Sequence, residues 1–277
     1  MKTPTFFGLH AKPGLKLNWS LALLPFVIIV LAYMFISDAR LAENPRDKIT
    51  PSVSTMLETA YEYAFVADRK GHYRLLEDSS YSLMRLISGV ALAAIVGLFL
   101  GVNTALFPGM NSTLNPFITF LSIIPPLALL PVFLITLGTG EIAKILLIFA
   151  GVVFLITRDI YKETRAIPKE QITKALTLGA NQWEVVYKIV FPQIMPVLLN
   201  TTRLSLGAAW LFLIAGEAIA STNGLGYTIY VVKRYLAMDA IIPYVLVITA
   251  LGFIMDWGLS KFIKWKYSWF VAIREGK

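Results

Sequence analysis

The sequence contains no cysteine and only two histidines, His10 and His72, which lie far apart in polar segments. Without cysteine the chain forms no disulfide and carries out no thiol chemistry. It also contains no P-loop, no HExxH zinc motif and no GxSxG nucleophile elbow. The chain therefore cannot bind ATP through a P-loop of its own. We expect it to be no enzyme, with no catalytic residue, metal site or cofactor.

Charge is sparse and apolar residues dominate. Charged residues make up 15% of the chain and hydrophobic residues 57%, with a mean hydropathy of +0.67. Since a helical span of a bilayer needs about 20 mostly apolar residues, this composition predicts an all-α polytopic membrane protein with about six transmembrane helices. The six apolar stretches that qualify or nearly qualify are residues 18–37, 83–106, 117–137, 142–157, 197–219 and 241–259.

Lysine and arginine are distributed unevenly among the predicted loops. With both termini cytoplasmic, the inner segments hold 14 of these residues and the outer loops 8. The positive-inside rule therefore favours cytoplasmic termini and a cytoplasmic loop over residues 158–196. These inner segments explain the net charge of +8. The charge does not favour nucleic-acid binding, because no basic patch is interleaved with aromatic residues on a soluble domain.

The predicted organisation has four parts. Residues 1–37 form a polar tail and the first transmembrane helix, residues 38–78 an outer loop, residues 79–265 a transmembrane domain that includes the 158–196 loop, and residues 266–277 a cytoplasmic tail. In the outer loop the spacing of apolar residues over 53–66 predicts an interfacial helix, for which a simple amphipathic tether is the alternative.

The cytoplasmic loop has a helix-turn-helix pattern over residues 172–192, which we call the docking loop. Residues 173–178 favour a helix, Gly179 supplies a left-handed stop, and residues 183–190 resume a helical pattern that Pro192 is expected to end. Apolar Leu176, Trp183, Val186 and Ile189 could bind a partner groove, or they could pack on the chain's own membrane domain.

The docking loop resembles the ATPase-docking loop of permease subunits of ATP-binding-cassette (ABC) importers. Ala175, Gly179, Ile189 and Pro192 fall on the spacing of the family's motif, whereas Thr173 replaces its glutamate and Lys174 its first alanine. The resemblance implies that this loop contacts an ATPase. Its candidate coupling residues are Thr173, Lys174, Ala175, Gly179, Ala180, Trp183, Ile189 and Pro192.

The resemblance extends over about 190 residues. The segments 82–89, 97–101, 123–131, 137–144, 204–211, 215–218 and 224–227 are similar to the nitrate, taurine and aliphatic-sulfonate branch of these permeases, and 214–221 and 232–239 most resemble permeases labelled urea-carboxylase-related. The resemblance implies a type I ABC importer permease in the bacterial inner membrane. Its implied partners are two ATPase subunits, an external solute-binding protein and a second permease copy; its solute would be nitrate, a sulfonate, taurine, or a urea-like or guanidine-like nitrogen compound.

Candidate residues of a translocation path come from two features. Pro125, Pro126 and Pro131 must break or bend one span, and a broken helix at membrane depth is tolerated where it packs in protein or lines a watery cavity. Glu217 lies in an apolar span among small residues, where an ionised side chain is costly and must face protein or water. The alternative for the prolines is a purely structural kink, and the alternative for Glu217 is a hydrogen bond between helices.

Three further residues or pairs have structural interpretations. Gly97 and Gly101 form a GxxxG pair that permits close helix packing. Arg203 is expected to extend toward the inner end of its span, and Asp256 to pair with Lys261 or with an arginine.

Two other classes of membrane protein are alternatives to an importer permease. A secondary transporter driven by an ion gradient commonly shows paired broken helices in two repeats, whereas this chain has a single proline-rich break. A scaffold without a transport role needs neither the docking loop nor a kinked span. The protein that co-purifies with the chain would distinguish these classes.

Overall fold

The structure, a computed structural model, describes residues 14–45, 47–68 and 71–274. All regular secondary structure in these residues is helical, as the composition predicted; most of the polar tail lies outside them. The α-helices are α1 (Leu15–Glu43), α2 (Val53–Phe65), α3 (Arg74–Leu106), α4 (Pro108–Leu121), α5 (Leu130–Leu137), α6 (Glu141–Arg165), α7 (Lys169–Thr177), α8 (Gln182–Val185), α9 (Phe191–Ala220), α10 (Leu225–Lys233), α11 (Met238–Lys266) and α12 (Ser268–Arg274).

The chain forms two compact units. The first comprises Met1–Glu62 and Val232–Pro243, and the second Tyr63–Val231 and Tyr244–Lys277. In the first unit, α1 is apolar around its whole circumference and almost none of it is buried, as expected of a helix that faces lipid. Near its end Ser37 Oγ donates to the carbonyls of Thr50 and Pro51 at 3.0 and 3.1 Å, which holds the segment before α2 against α1.

The second unit is built around α6, which packs most extensively on α3 and then on α9. Its inward face is completely buried through Leu147, Ile148, Val152, Ile156 and Ile160. Protein rather than lipid therefore surrounds the central part of α6, although charged residues lie near both ends of this apolar helix.

Glycines permit the close approach of α3 to α6. A Cβ atom added at Gly97 would lie 2.8 Å from Ile156 Cγ2, and one at Gly101 would lie 2.7 Å from Ile160 Cγ2. Any larger residue would push the helices apart. The predicted packing role of this GxxxG pair is therefore what the geometry shows.

The proline-rich segment is broken as predicted. Helix α4 ends at Leu121, and a 3-10 turn occupies Pro126–Leu129. The stretch Pro126–Leu137, which comprises this turn and α5, is bent by 84° relative to α4. Pro125 is extended and Pro126 begins the 3-10 turn, so neither needs a backbone N–H to continue a helix.

The predicted spans correspond to helices, with one difference. Among the described residues, four helical segments are long and apolar enough to cross a membrane, and the bent α4–α5 pair makes up to five. The predicted 142–157 span is not among them. Lys144 near one end of α6 and Arg158 and Asp159 near the other leave an uncharged run that is shorter than a membrane span needs. Near the C-terminus, residues 268–274 form α12 where the sequence suggested only a tail.

Candidate docking loop and buried polar network

The turn after α7 in the docking loop is closed by backbone hydrogen bonds. Gly179 has a φ of +89°, and its N–H donates to Leu176 O while the N–H of Ala180 donates to Ala175 O, both at 3.0 Å. This pair of bonds is a Schellman motif, which requires a left-handed residue at the position of Gly179. The left-handed stop predicted from the sequence is present.

The next helical turn begins with a reciprocal cap. Asn181 Oδ1 accepts the Glu184 N–H at 2.9 Å, and Glu184 Oε2 accepts the Asn181 N–H at 3.0 Å. Lys188 Nζ donates to the same carboxylate at 2.9 Å. These contacts hold the loop in one conformation although it is largely exposed.

Pro192 does not end this helix, contrary to our expectation. A π-helical turn over Val186–Val190 leads directly into α9, and Phe191 N–H bonds to Val186 O five residues earlier. The wider turn precedes Pro192, and the helix continues through the proline although its missing N–H removes one helical hydrogen bond. The loop is therefore continuous with the 30-residue helix α9.

One side of the docking loop exposes large apolar residues. Leu178 is 88% exposed, Trp183 69% and Tyr187 65%. The opposite side is anchored, since Val185 and Val190 are buried. Of the predicted coupling residues, Thr173, Lys174, Gly179, Trp183 and Pro192 are exposed, and Ala175, Ala180 and Ile189 are half-buried.

Glu217 lies in a buried polar network. It is fully buried, and its carboxylate pairs with Arg85 Nη1 at 2.7 Å. Ser82 Oγ donates to it, and it accepts the Gly226 N–H at 2.9 Å. Arg85 is also buried and binds Asn223 and the half-exposed Glu141.

A second carboxylate, Asp78, extends the network. It accepts the Gly224 N–H at 2.8 Å, Thr228 Oγ1 at 2.6 Å and Tyr244 Oη at 3.1 Å. Ser82 Oγ accepts the Leu225 N–H at 2.9 Å. The turn between α9 and α10 is thus held by side chains of α3, and buried backbone donors find partners in carboxylate and hydroxyl oxygens.

Sequence reasoning missed Arg85 as the partner of Glu217. The available signal was that Arg85 and Glu217 are charged residues of opposite sign within two apolar spans, and such residues tend to pair. Asp256, by contrast, pairs with an arginine as anticipated, because Arg203 Nε lies 3.1 Å from Asp256 Oδ1.

A cavity of about 670 Å³ lies between the broken span, α6 and α9. Pro126 lines it, whereas Pro125 and Glu217 do not. Its walls are mostly apolar, with Arg158 and Lys162 contributing positive charge. Asp159 also lines it and accepts a hydrogen bond from Thr201. Among the described residues no cluster of histidine, aspartate and glutamate could hold a metal ion.

Several helices long and apolar enough to cross a membrane, together with a broken span, are typical of a membrane transport subunit. Residues 89–264 match the family model described as binding-protein-dependent transport system inner membrane component, and the chain belongs to this family.

Named relatives agree with this assignment. The chain is 35% identical over 194 residues to a Methanocaldococcus jannaschii protein named as an ABC transporter permease, covering 70% of this chain and 72% of that one. It is 33% identical over 146 residues to the taurine transport system permease protein of Escherichia coli, covering 53% of each. It is 26% identical over 267 residues to a Bacillus subtilis protein named as an aliphatic sulfonates transport permease, covering 95% and 94%.

The fold agrees as well. A chain in a structure of the MetNI methionine ABC transporter in inward-facing conformations superimposes with a TM-score of 0.59 at 20% identity, covering 67% of this chain and 92% of that chain. The protein is therefore an ABC importer permease of the inner membrane, as the resemblance indicated. It is a non-catalytic subunit, and the partner ATPase hydrolyses ATP.

Proposed function

We propose that the docking loop is the element through which ATPase subunits drive this permease. The main support is that the docking loop exposes three large apolar side chains, Leu178, Trp183 and Tyr187. Its backbone is held by a Schellman motif and a capping box. Exposed aromatic and leucine side chains on a rigid helical element suit a groove on a partner. Thr173 and Lys174, which depart from the family's motif, are exposed as well.

Continuity of the loop with α9 supports mechanical coupling. A force applied to α8 passes through the π-helical turn into α9 without a flexible linker. Helices α9, α6 and α3 are closely packed, so they transmit the displacement together. Closure of two ATPases would then open the permease outward, and hydrolysis would return it to the inward-open state.

The translocation path is proposed to run along the large cavity when a second copy of the chain faces it. Pro126, Gly151 and Phe212 line this cavity beside the break between α4 and α5. Both termini and the docking loop are proposed to lie in the cytoplasm, with a solute-binding protein docking on the opposite side. Glu217 is assigned to helix packing, because it is fully buried and paired.

The proposed solute is a small polar anion or zwitterion such as a sulfonate or taurine. The names of relatives support this class. Arg158 and Lys162 place two positive charges at the cavity against the one negative charge of Asp159, so the potential there is positive. A urea-like or guanidine-like solute is the alternative, based on the similarity of segments 214–221 and 232–239 to other permeases.

The test is ATP-dependent uptake into proteoliposomes that contain the permease with its co-purified ATPases and binding protein. Labelled taurine and a short alkanesulfonate are the expected solutes, and labelled guanidinium is the cationic comparator. Gly179→Val should lower uptake at least tenfold, since a β-branched residue is strongly disfavoured at this φ.

Gly179→Asn is the matched control, because asparagine tolerates the left-handed conformation and no atom lies within 4 Å of an added Cβ. It should retain most of the uptake. Equal uptake by the valine variant and the wild type, with equal ATPase recovery, would refute the coupling role. Preferential uptake of guanidinium would refute the proposed solute class alone.

A further inference from the structure

A small basic pocket lies between α9, α11 and α12, in the second unit. Its volume is about 160 Å³, and three cationic side chains line it: Arg203, Lys264 and Arg274. Asn200 and Ser260 add polar atoms, and no carboxylate is among its lining residues. The site is large enough for a phosphate group.

The charges of this pocket are only partly neutralised. Arg203 pairs with Asp256 and Arg274 with Glu163, each at 3.0 to 3.1 Å, but neither carboxylate lines the pocket. Lys264 is exposed and has no ion-pair partner among the described residues. Arg203 Nε is buried, and its 3.1 Å contact with Asp256 Oδ1 is an ion pair without hydrogen-bond geometry. The pocket therefore holds an excess of donors and positive charge.

The location of the pocket points to a lipid. Glu163, which contacts α12, lies near the end of α6 where the docking loop follows, so the pocket is at the docking-loop end of the spans. The last turns of α11 and the start of α12 expose Trp257, Trp265 and Trp269. Tryptophans concentrate at the level of phospholipid headgroups, and basic pockets between spans at the cytoplasmic side bind anionic headgroups.

We propose that this pocket binds the phosphate of an anionic phospholipid. Lys264 and Arg274 contact the phosphate oxygens, and Arg203 closes the pocket from α9. The bound headgroup would connect α12 to α11 and α9 through shared hydrogen bonds. Neighbouring Lys261 and Lys266 have other contacts, over the rings of Trp257 and Phe262 respectively, and do not line the pocket.

Native mass spectrometry of the full chain in detergent, titrated with phosphatidylglycerol, phosphatidylcholine or inorganic phosphate, tests this proposal. We expect one phosphatidylglycerol to bind at least tenfold more tightly than phosphatidylcholine. The Lys264→Gln/Arg274→Gln variant should weaken it about thirtyfold, equivalent to about 2 kcal/mol at 1.4 kcal/mol per tenfold change. Lys264→Gln alone, which breaks no ion pair, should weaken it about fivefold.

The control variant Lys261→Gln/Lys266→Gln removes two charges from the same helix end outside the pocket and should bind phosphatidylglycerol like the wild type. Equal loss in the control and pocket variants would show unspecific attraction and overturn the proposal. Binding of inorganic phosphate without preference for phosphatidylglycerol would show that the ligand is a free anion, and would overturn it as well.

Discussion

At the residue scale, the burial of Glu217 favours helix packing over a place in the translocation path. An ionised group that lines a watery path should have some exposed surface, whereas Glu217 has none and its oxygens accept bonds from Arg85, Ser82 and the Gly226 backbone. A buried ion pair contributes little net stability, but a substitution that leaves its buried hydrogen-bond donors without an acceptor is costly. The helix-packing interpretation therefore predicts that Glu217→Gln and Glu217→Leu differ in the amount of folded chain.

We predict that Glu217→Gln folds in near-normal amounts and retains uptake, because the amide keeps the shape and can still bond Ser82 while Arg85 remains paired with Glu141. Glu217→Leu should lose about 3 to 5 kcal/mol and much of the folded chain, because leucine leaves Ser82 Oγ, one N–H of Arg85 Nη1 and the Gly226 N–H without an acceptor. Size-exclusion recovery and thermal unfolding in detergent measure both effects. Normal folding but absent uptake in the glutamine variant would return Glu217 to the translocation path.

Arg85 illustrates what sequence reasoning could reach at this scale. A charge within an apolar span must find a partner, and that rule applies to Arg85, Glu217 and Lys144 alike. Which charges meet depends on the rotation of α3 against α9 and on the turn that brings Asn223 back to Arg85. Neither is encoded in a local pattern, so the network emerges only from the packed structure.

At the element scale, the close contact between α3 and α6 depends on three glycines that face isoleucines. Added Cβ atoms at Gly89, Gly97 and Gly101 would all come within 2.8 Å of an isoleucine side-chain carbon. This spacing is shorter than packed atoms tolerate, so the helices would have to separate. Because α6 also contacts α9, the displacement would spread through the core of the second unit.

We predict that Gly101→Ala destabilises the folded chain by about 1 to 3 kcal/mol, since the methyl group would also lie 2.9 Å from the Thr157 carbonyl oxygen. Gly109→Ala, with no atom within 4 Å of the added Cβ, is the control and should unfold at the wild-type temperature. Thermal unfolding of the two purified variants gives the comparison. An unchanged unfolding temperature for Gly101→Ala would mean that α3 and α6 are less closely packed than described.

Local patterns predicted most of these elements. Long apolar runs located the long helices, adjacent prolines located the break between α4 and α5, and Gly179 located the turn of the docking loop. Pro192 was misinterpreted because the wider π-helical turn before it allows the helix to continue. The cavity beside Pro126 could not be predicted, since it depends on how three separate segments pack.

At the scale of the whole molecule, the function depends on which side of the membrane the docking loop occupies. The family assignment establishes an inner-membrane component, and the distribution of lysine and arginine favours a cytoplasmic loop. The two sides can be distinguished directly because the chain has no cysteine to interfere with labelling. Suitable positions are exposed on α7 and α2.

We predict that Thr177→Cys resists a membrane-impermeant maleimide in intact cells, because the docking loop is proposed to lie in the cytoplasm. It should react once the membrane is opened, because Thr177 is exposed. Ser54→Cys, an isosteric change in the outer-loop helix α2, should react in intact cells. The labelled fraction after gel separation is the measurement, with the cysteine-free wild type as background. Labelling of position 177 from outside, or protection of position 54 until the membrane is opened, would invert the topology and remove the docking loop from the reach of a cytoplasmic ATPase.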